Sequence, residues 1–202
     1  MAKNKVKFGL KNVHYAIATI ADDGTATYAD PPVAVPGAVN LSMDAVGELE
    51  PFFADNIKYY ISNDNQGYDG DLEMALFPDQ MKKDIWGDIE DNNGVLVENA
   101  DAPVVHFALL FQFEGDVKAT RHVLYNCTGT RPAVESGTKE DTTTPQTEKS
   151  TISDGTILLK GFGPDGADVN VPKSSTTPDT NATAYEGWFE NVYIPEKKTT
   201  GE

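Results

Sequence analysis

Residues 103–127 constrain the fold more than any other stretch, because apolar side chains recur at alternate positions on both sides of a turn signal at Glu114-Gly115-Asp116. A period of two over that length specifies an antiparallel β-hairpin. Pairing Phe113 with Val117 puts Val105, Phe107, Leu109, Phe111, Phe113, Val117, Ala119, Val123 and Tyr125 on one face, with Arg121 as its sole charge. The opposite face then carries His106, Ala108, Leu110, Gln112, Lys118, Thr120, His122 and Leu124. The first reads as a core face. The second is neither oily nor properly polar, which suits a subunit contact, a wet channel wall or a plain solvent face.

Strand signals continue on both sides of this hairpin. Val6, Phe8 and Leu10 alternate with Lys5, Lys7 and Lys11, which predicts a half-buried strand with a basic outer face. Val39–Met43 alternates again, and Ile57–Ile61 is a short β run inside a long loop of about 40–70. Asn63–Gly70 reads as the polar part of that loop. One helix is expected: Pro78 opens it, Met81 and Ile85 share a face, and Gly87 closes it. Residues 135–150 and 173–183 are nearly free of apolar side chains and read as loops or arms that do not order by themselves. Thr156–Leu159 and Val169–Val171 look like short strands. Trp188, Val192 and Ile194 on one parity, with Phe189 and Tyr193 on the other, predict a last strand that is apolar on both sides. The whole predicts one domain over 1–202, mostly β, an antiparallel sandwich or barrel-like fold with one short flanking helix.

Charge narrows the function. Over residues 44–101, fifteen Asp and Glu stand against only Lys58, Lys82 and Lys83, a net of −12 within a chain of net −16. Apolar residues such as Leu72, Phe77, Ile85 and Trp86 run through this segment, so it can bury a core beneath an acidic skin. A field of that sign repels nucleic acid and anionic lipid. It leaves a surface that sheds DNA or one that meets a basic partner. Cys127 is the only cysteine, so no internal disulfide forms, which suits a reducing compartment. The basic start, residues 1–11, is too interrupted for a signal peptide, and no run approaches the roughly 20 apolar residues of a membrane span. A soluble protein made in the cytoplasm is expected.

Chemical motifs are sparse. His106 and His122 fall on one hairpin face in this register and could share a metal, but no third ligand is near in sequence. His14 stands alone. Asp64, Asp69, Asp71 and Glu73 invite a calcium reading, yet Asn63-Asp64-Asn65-Gln66-Gly67 lacks the ligand spacing of a helix-loop-helix calcium site. Asp165, Asp168 and Asn170 are explained by a turn at Gly163-Pro164-Asp165-Gly166. No nucleophile elbow, phosphate loop or His-Glu-x-x-His zinc signature is present. No catalytic residue, cofactor or metal is assigned, and the chain does not read as an enzyme.

Several stretches, taken in order, carry a resemblance. They are Lys5-Val6-Lys7-Phe8-Gly9-Leu10-Lys11-Asn12-Val13-His14-Tyr15, then Pro36-Gly37-Ala38-Val39 before Leu41-Ser42, then Ala54-Asp55-Asn56 and Gly67-Tyr68-Asp69-Gly70. Pro78-Asp79 running into Ile85-Trp86-Gly87, Asn93-Gly94-Val95 and Leu124-Tyr125-Asn126-Cys127 complete the set. Over about residues 3–132 the chain resembles the major tail proteins, the tail tube subunits, of bacteriophages with long non-contractile tails. The resemblance implies a virion protein that closes into hexameric rings, stacked as a hollow tube through which double-stranded DNA leaves without specific binding. It implies as partners further copies of the chain and the tape measure, tail terminator and tail-tip proteins. Lys5, Lys7 and Lys11, meeting the acidic band of another copy, and Asp64, Asn65, Gly67, Tyr68 and Gly70 of the polar loop are the candidate self-assembly contacts. The rival is a β-sandwich module binding calcium or carbohydrate, with Tyr59, Tyr60 and Tyr68 stacking on sugar rings.

Overall fold

The computed structural model describes residues 3–47, 49–63, 65–138 and 145–197; the side chains of 49–54 and 58–63 lie outside that description. In chain order the strands are β1 (Lys7–Ile20), β2 (Ala26–Tyr28), β3 (Val33–Ala34), β4 (Ala38–Val46), β5 (Leu49–Ala54), β6 (Ile57–Asn63) and β7 (Gly67–Met74). Helix α1 (Asp79–Trp86) follows, then β8 (Ile89–Glu90), β9 (Leu96–Val97), β10 (His106–Gly115), β11 (Thr120–Gly129) and β12 (Glu148–Gly155). Short strands β13 (Ile157–Leu159), β14 (Val169–Val171) and β15 (Lys173–Ser175) precede helix α2 (Ala182–Glu186).

One antiparallel sheet of nine strands runs β2-β1-β10-β11-β12-β7-β4, with β15 alongside β11 and β3 alongside β1. The fold is mostly β and sandwich-like, as the alternation predicts. The sheet curls so that Leu72 and Met74 of β7 and Ile152 of β12 join Val13, Tyr15, Phe107, Leu109 and Phe111 in one core. Residues 33–38 help close the curl: Val35 N–H donates to Val13 O at 2.7 Å and Ala75 N–H to Gly37 O at 2.7 Å.

Helix α1 seals the open side of this core. Pro78 stands at its N-cap, Gly87 ends it in the left-handed region at φ 69°, and Met81, Ile85 and Trp86 are buried. Tyr15 ties β1 to the helix by donating its hydroxyl to Asp84 Oδ2 at 2.7 Å. Burial, then this hydrogen bond to the carboxylate, holds the Tyr15 phenol well above its ordinary range. Trp86 meets Phe77 edge-on at 5.2 Å and donates Nε1–H to Gly129 O at 3.0 Å.

The hairpin exists, but its register differs from the expectation. Phe113 pairs with Thr120, not with Val117, so the connection is longer than a tight turn. The slip is an odd number of residues, and in a period-two element that turns β11 over. Leu124 and Cys127 therefore face the first core, while Val123 and Tyr125 join a second with Ala108, Leu110, Ile157, Trp188 and Val192. The cause lies at the start of the chain. Asn4 accepts from the N–H groups of Val117 and Lys118 at 3.0 Å each and donates Nδ2–H to Lys118 O at 2.6 Å, which holds the longer connection open.

Four other expectations change. Of the described residues in 63–70 only 65–66 are irregular, because β6 runs to Asn63 and β7 begins at Gly67 and pairs with both β12 and β4. The span of about 40–70 is accordingly a long hairpin, β4–β5 against β6–β7. Residues 173–183 are docked rather than free: β15 pairs with β11, and Thr176 is buried with its Oγ1 accepting from Arg121 N–H at 2.9 Å. Strand β12 already starts at Glu148, inside the expected arm of 135–150. The last apolar run is no strand: after α2 and a single 3-10 turn at Gly187–Phe189 it crosses the second core irregularly. Trp188 and Val192 are four apart, a spacing compatible with either period, and the Asn181 side chain caps α2 by accepting from Ala184 N–H at 2.7 Å.

Candidate functional site: an acidic sheet face and a projecting ribbon

Strands β4, β7 and β12 bury one face and leave the other open. The inward side chains are Leu41, Met43, Leu72, Met74, Ser150, Ile152 and Asp154. The alternate positions form three rungs across the outer face: Asp44–Asp69–Ser153, Ser42–Asp71–Thr151 and Asn40–Glu73–Lys149. Four carboxylates and one lysine share these nine positions. The rest are hydroxyls and an amide. Lys149 Nζ lies 2.8 Å from Asp71 Oδ2, and it and the Thr151 hydroxyl hold that carboxyl below its ordinary range. The Ser153 hydroxyl donates to Asp69 Oδ1 at 2.6 Å.

Asp44 stands directly opposite Asp69. Like charges facing each other directly across a sheet destabilise it. Nothing in the buried packing asks for this pair, since both side chains point away from the core. Among the described residues β4 pairs only with β7, so the far edge of the acidic face presents unpaired backbone groups. An open edge is a template for another chain.

Beyond this face the β4–β7 hairpin continues as a two-stranded ribbon. Among the described residues, strands β5 and β6 pair only with each other and turn at Asp55-Asn56, both in the left-handed region at φ 51° and 60°. That conformation at both central residues is the turn whose twist matches a hairpin. Six or seven residues at about 3.3 Å each give a ribbon roughly 20 Å long. The Ile57–Ile61 run is a strand as expected, within β6, whereas its partner β5 was not expected, although Asp55-Asn56 between two apolar runs signals the turn.

The candidate contacts fall into two groups, on strands β1 and β7, with β10, β11 and β12 between them in the sheet. Lys5, Lys7 and Lys11 are exposed, as are Val6 at 57% and Phe8 at 56%. The basic start of β1 is thus an exposed strip with apolar residues on it, not half-buried as expected, because bulges near Gly9 and Asn12 shift its register against β10. Lys11 Nζ lies 3.4 Å from Glu114 Oε1, and Lys7 Nζ lies over the Phe113 ring at 5.1 Å. In the second group, Asp64 lies outside the described residues, and Asn65 is exposed with its Oδ1 accepting from Gly67 N–H at 3.2 Å. Gly67 and Gly70 are places of close backbone approach: an added Cβ would stand 1.8 Å from Asp154 O and 1.8 Å from Ser42 O respectively. Tyr68 is half-buried, with the Lys173 ammonium 4.1 Å from its ring centroid.

The other candidate sites do not assemble. His106 and His122 lie on opposite faces, a consequence of the inverted β11. His106 Nδ1 is 2.7 Å from Asn126 Oδ1, whereas His122 stacks on Phe111 at 5.1 Å. Burial, then Lys173 and Lys7, lower the His122 pKa to about 4. His14 stacks on Phe189. Among the described residues no group of three or more His, Cys, Asp or Glu could hold a metal ion, and no helix is long and apolar enough to cross a membrane. The carbohydrate reading falls on Tyr59 and Tyr60, whose side chains lie outside the described residues, and on Tyr68, one face of which Lys173 covers. Compared with protein-family models and with curated proteins, the chain matches none.

Proposed function

We propose that this chain is a self-assembling structural protein, the tail tube subunit of a bacteriophage with a long non-contractile tail. Its copies close into rings, hexameric by the resemblance, that stack into a conduit for DNA. The observation that carries this reading is the exposed β4–β7–β12 face, with carboxylates in register across a sheet whose edge is open. A duplex carries one phosphate charge per roughly 1.7 Å of axis, and a basic wall would hold it through counterion release. Carboxylates and hydroxyls present no such trap. Joined edge to edge, copies of this sheet form a continuous acidic wall. The role is passive, without catalysis or a cofactor.

The ribbon supports the same reading. A two-stranded hairpin alone is marginal in water and gains stability by packing on something else. Another copy supplies that surface, and the basic start of β1 offers charge of the opposite sign to the acidic band. Unlike surfaces meeting in this way build rings and filaments. The tape measure, tail terminator and tail-tip proteins are the partners that such a tube requires.

The test is the oligomeric state of the full chain. Sedimentation velocity on a concentration series, followed by negative-stain microscopy of the most concentrated sample, is expected to give rings or tubes with a central hole. A strict monomer at every concentration, also after addition of a tail initiation complex, contradicts the reading. A monomer whose melting temperature rises with calcium or glycans would favour a binding module instead.

A further inference from the structure

We propose that Asp154 is a proton-operated latch at the root of the β5–β6 ribbon: as a neutral carboxylic acid it keeps the β7–β12 junction closed, and as a carboxylate it loosens it. The latch is a property of the single chain and stands whether or not copies assemble. Asp154 is only 2% exposed, and its Oδ2 has no hydrogen-bond partner among the described residues. Its Oδ1 accepts from Asn126 N–H at 3.0 Å and from the Cys127 thiol at 3.6 Å. A neutral carboxyl can stay in such a place, whereas a buried charge with one bare oxygen is costly.

The position gives the titration its consequence. Asp154 pairs with Tyr68 in the last rung between β12 and β7, and Gly67 pairs with Val46 in the last rung between β7 and β4. Gly67 packs directly on Asp154 O. The chain leaves the main sheet for the ribbon at this point, with Gln66 N–H donating to Val46 O at 2.9 Å. Water reaching a charged Asp154 must therefore part the strands that aim the ribbon.

The groups around Asp154 do not neutralise it. From β11 it faces Cys127, whose thiol burial pushes up, and Asn126, whose Oδ1 meets His106. Tyr68 comes from β7. Tyr28 comes from β2, its hydroxyl donating to Tyr125 O at 3.0 Å. Lys173 of β15 is the cation whose field reaches Asp154, and its ammonium sits over Tyr68. Burial dominates, and the Asp154 pKa is pushed up to about 7.

The closed junction binds the proton more tightly than the open one, in which the carboxyl is hydrated and titrates near the ordinary value of about 4. Raising the pH therefore favours opening, by up to tenfold per unit between about pH 4 and 7 and with no further change above. His122 acts the other way, because its neutral form is the buried one, and stability is lost as pH falls from about 6.5 through 4. A global melt mixes the two trends, so the readout must be local.

Amide hydrogen exchange of the full chain from pH 5 to 8.5, corrected for intrinsic rates, provides it. Protection at Gln66–Asp69 and Asn126–Cys127 is expected to fall up to tenfold per pH unit to about pH 7 and then level, with α1 unchanged. In Asp154→Asn this pH dependence is expected to vanish. Equal corrected protection across the range, or the same slope in Asp154→Asn, overturns the latch. Should that variant not fold, the 13C carboxyl titration of Asp154 in the wild type decides: a midpoint near 7 supports the latch and one below 5 overturns it.

Discussion

Gly70→Ala is expected to cost about 3 kcal/mol or more, at or beyond the top of the usual range for forcing extra atoms into a well-packed interior, and to leave little folded protein at 37 °C. The added Cβ would lie 1.8 Å from Ser42 O and 2.8 Å from Met43 Cα, both backbone atoms that no rotamer change can move aside. Strand β7 is held between β4 and β12, so relief on one side opens a gap on the other. Beneath it lie Leu72 and Met74, both at 0% exposure, so parting these strands unseals the first core. Urea unfolding followed by tryptophan fluorescence measures the loss. Gly137→Ala serves as the control, because its nearest neighbour would be Gln146 Nε2 at 4.0 Å, and it is expected to change stability by about 0.5 kcal/mol or less. Gly70 was singled out as an assembly contact, and the two roles separate in this experiment. A contact residue would weaken assembly and spare the monomer, while Gly70 is expected to fail already in the monomer.

Trp86→Ala is expected to cost about 3–5 kcal/mol, the range for removing a large aromatic side chain from a core. Trp86 is 6% exposed, meets Phe77 edge-on and anchors the last turn of α1 against β11 through Gly129 O. Arg131 binds the same corner, contacting Trp86 O and Asp88 and donating to Asn99 O at 3.1 Å. Loss of the indole thus weakens the joint between helix and sheet, while the Arg131 contacts, which do not involve the ring, are kept. Trp86→Phe separates packing from hydrogen bonding: it keeps a ring against Phe77 but strands the Gly129 carbonyl, and about 1–2 kcal/mol is expected. A chemical melt of both variants checks the order. Equal losses would place the whole effect in the hydrogen bond.

The sequence disclosed those elements whose signals were local. The α1 boundaries followed from Pro78, the Met81–Ile85 spacing and Gly87, each acting within one turn of helix. The β10–β11 hairpin followed from alternation, but its register did not, because Asn4, more than a hundred residues away, sets the length of the connection. Alternation also misled at Trp188–Ile194, where a spacing of four suits either period and the second core accepted an irregular strap. The acidic segment was visible as composition, yet its arrangement was not. Asp44 meets Asp69, and Ser153 meets Asp69, only once β4, β7 and β12 lie side by side. The exposed Val6 and Phe8 were hidden for the same reason, since bulges at Gly9 and Asn12 decide which way the start of β1 faces. Asp154 could not have been singled out among the acids of this chain, because its burial depends on strands from four parts of the sequence.

The most direct test of the tube reading is a reconstruction by cryo-electron microscopy of the particles that the concentrated protein forms. The reading predicts a hollow ring or tube with Asp44, Asp69 and Asp71 on the wall of the bore and the open edge of β4 paired with a neighbouring copy. A bore lined by lysines, or a particle without one, would contradict it.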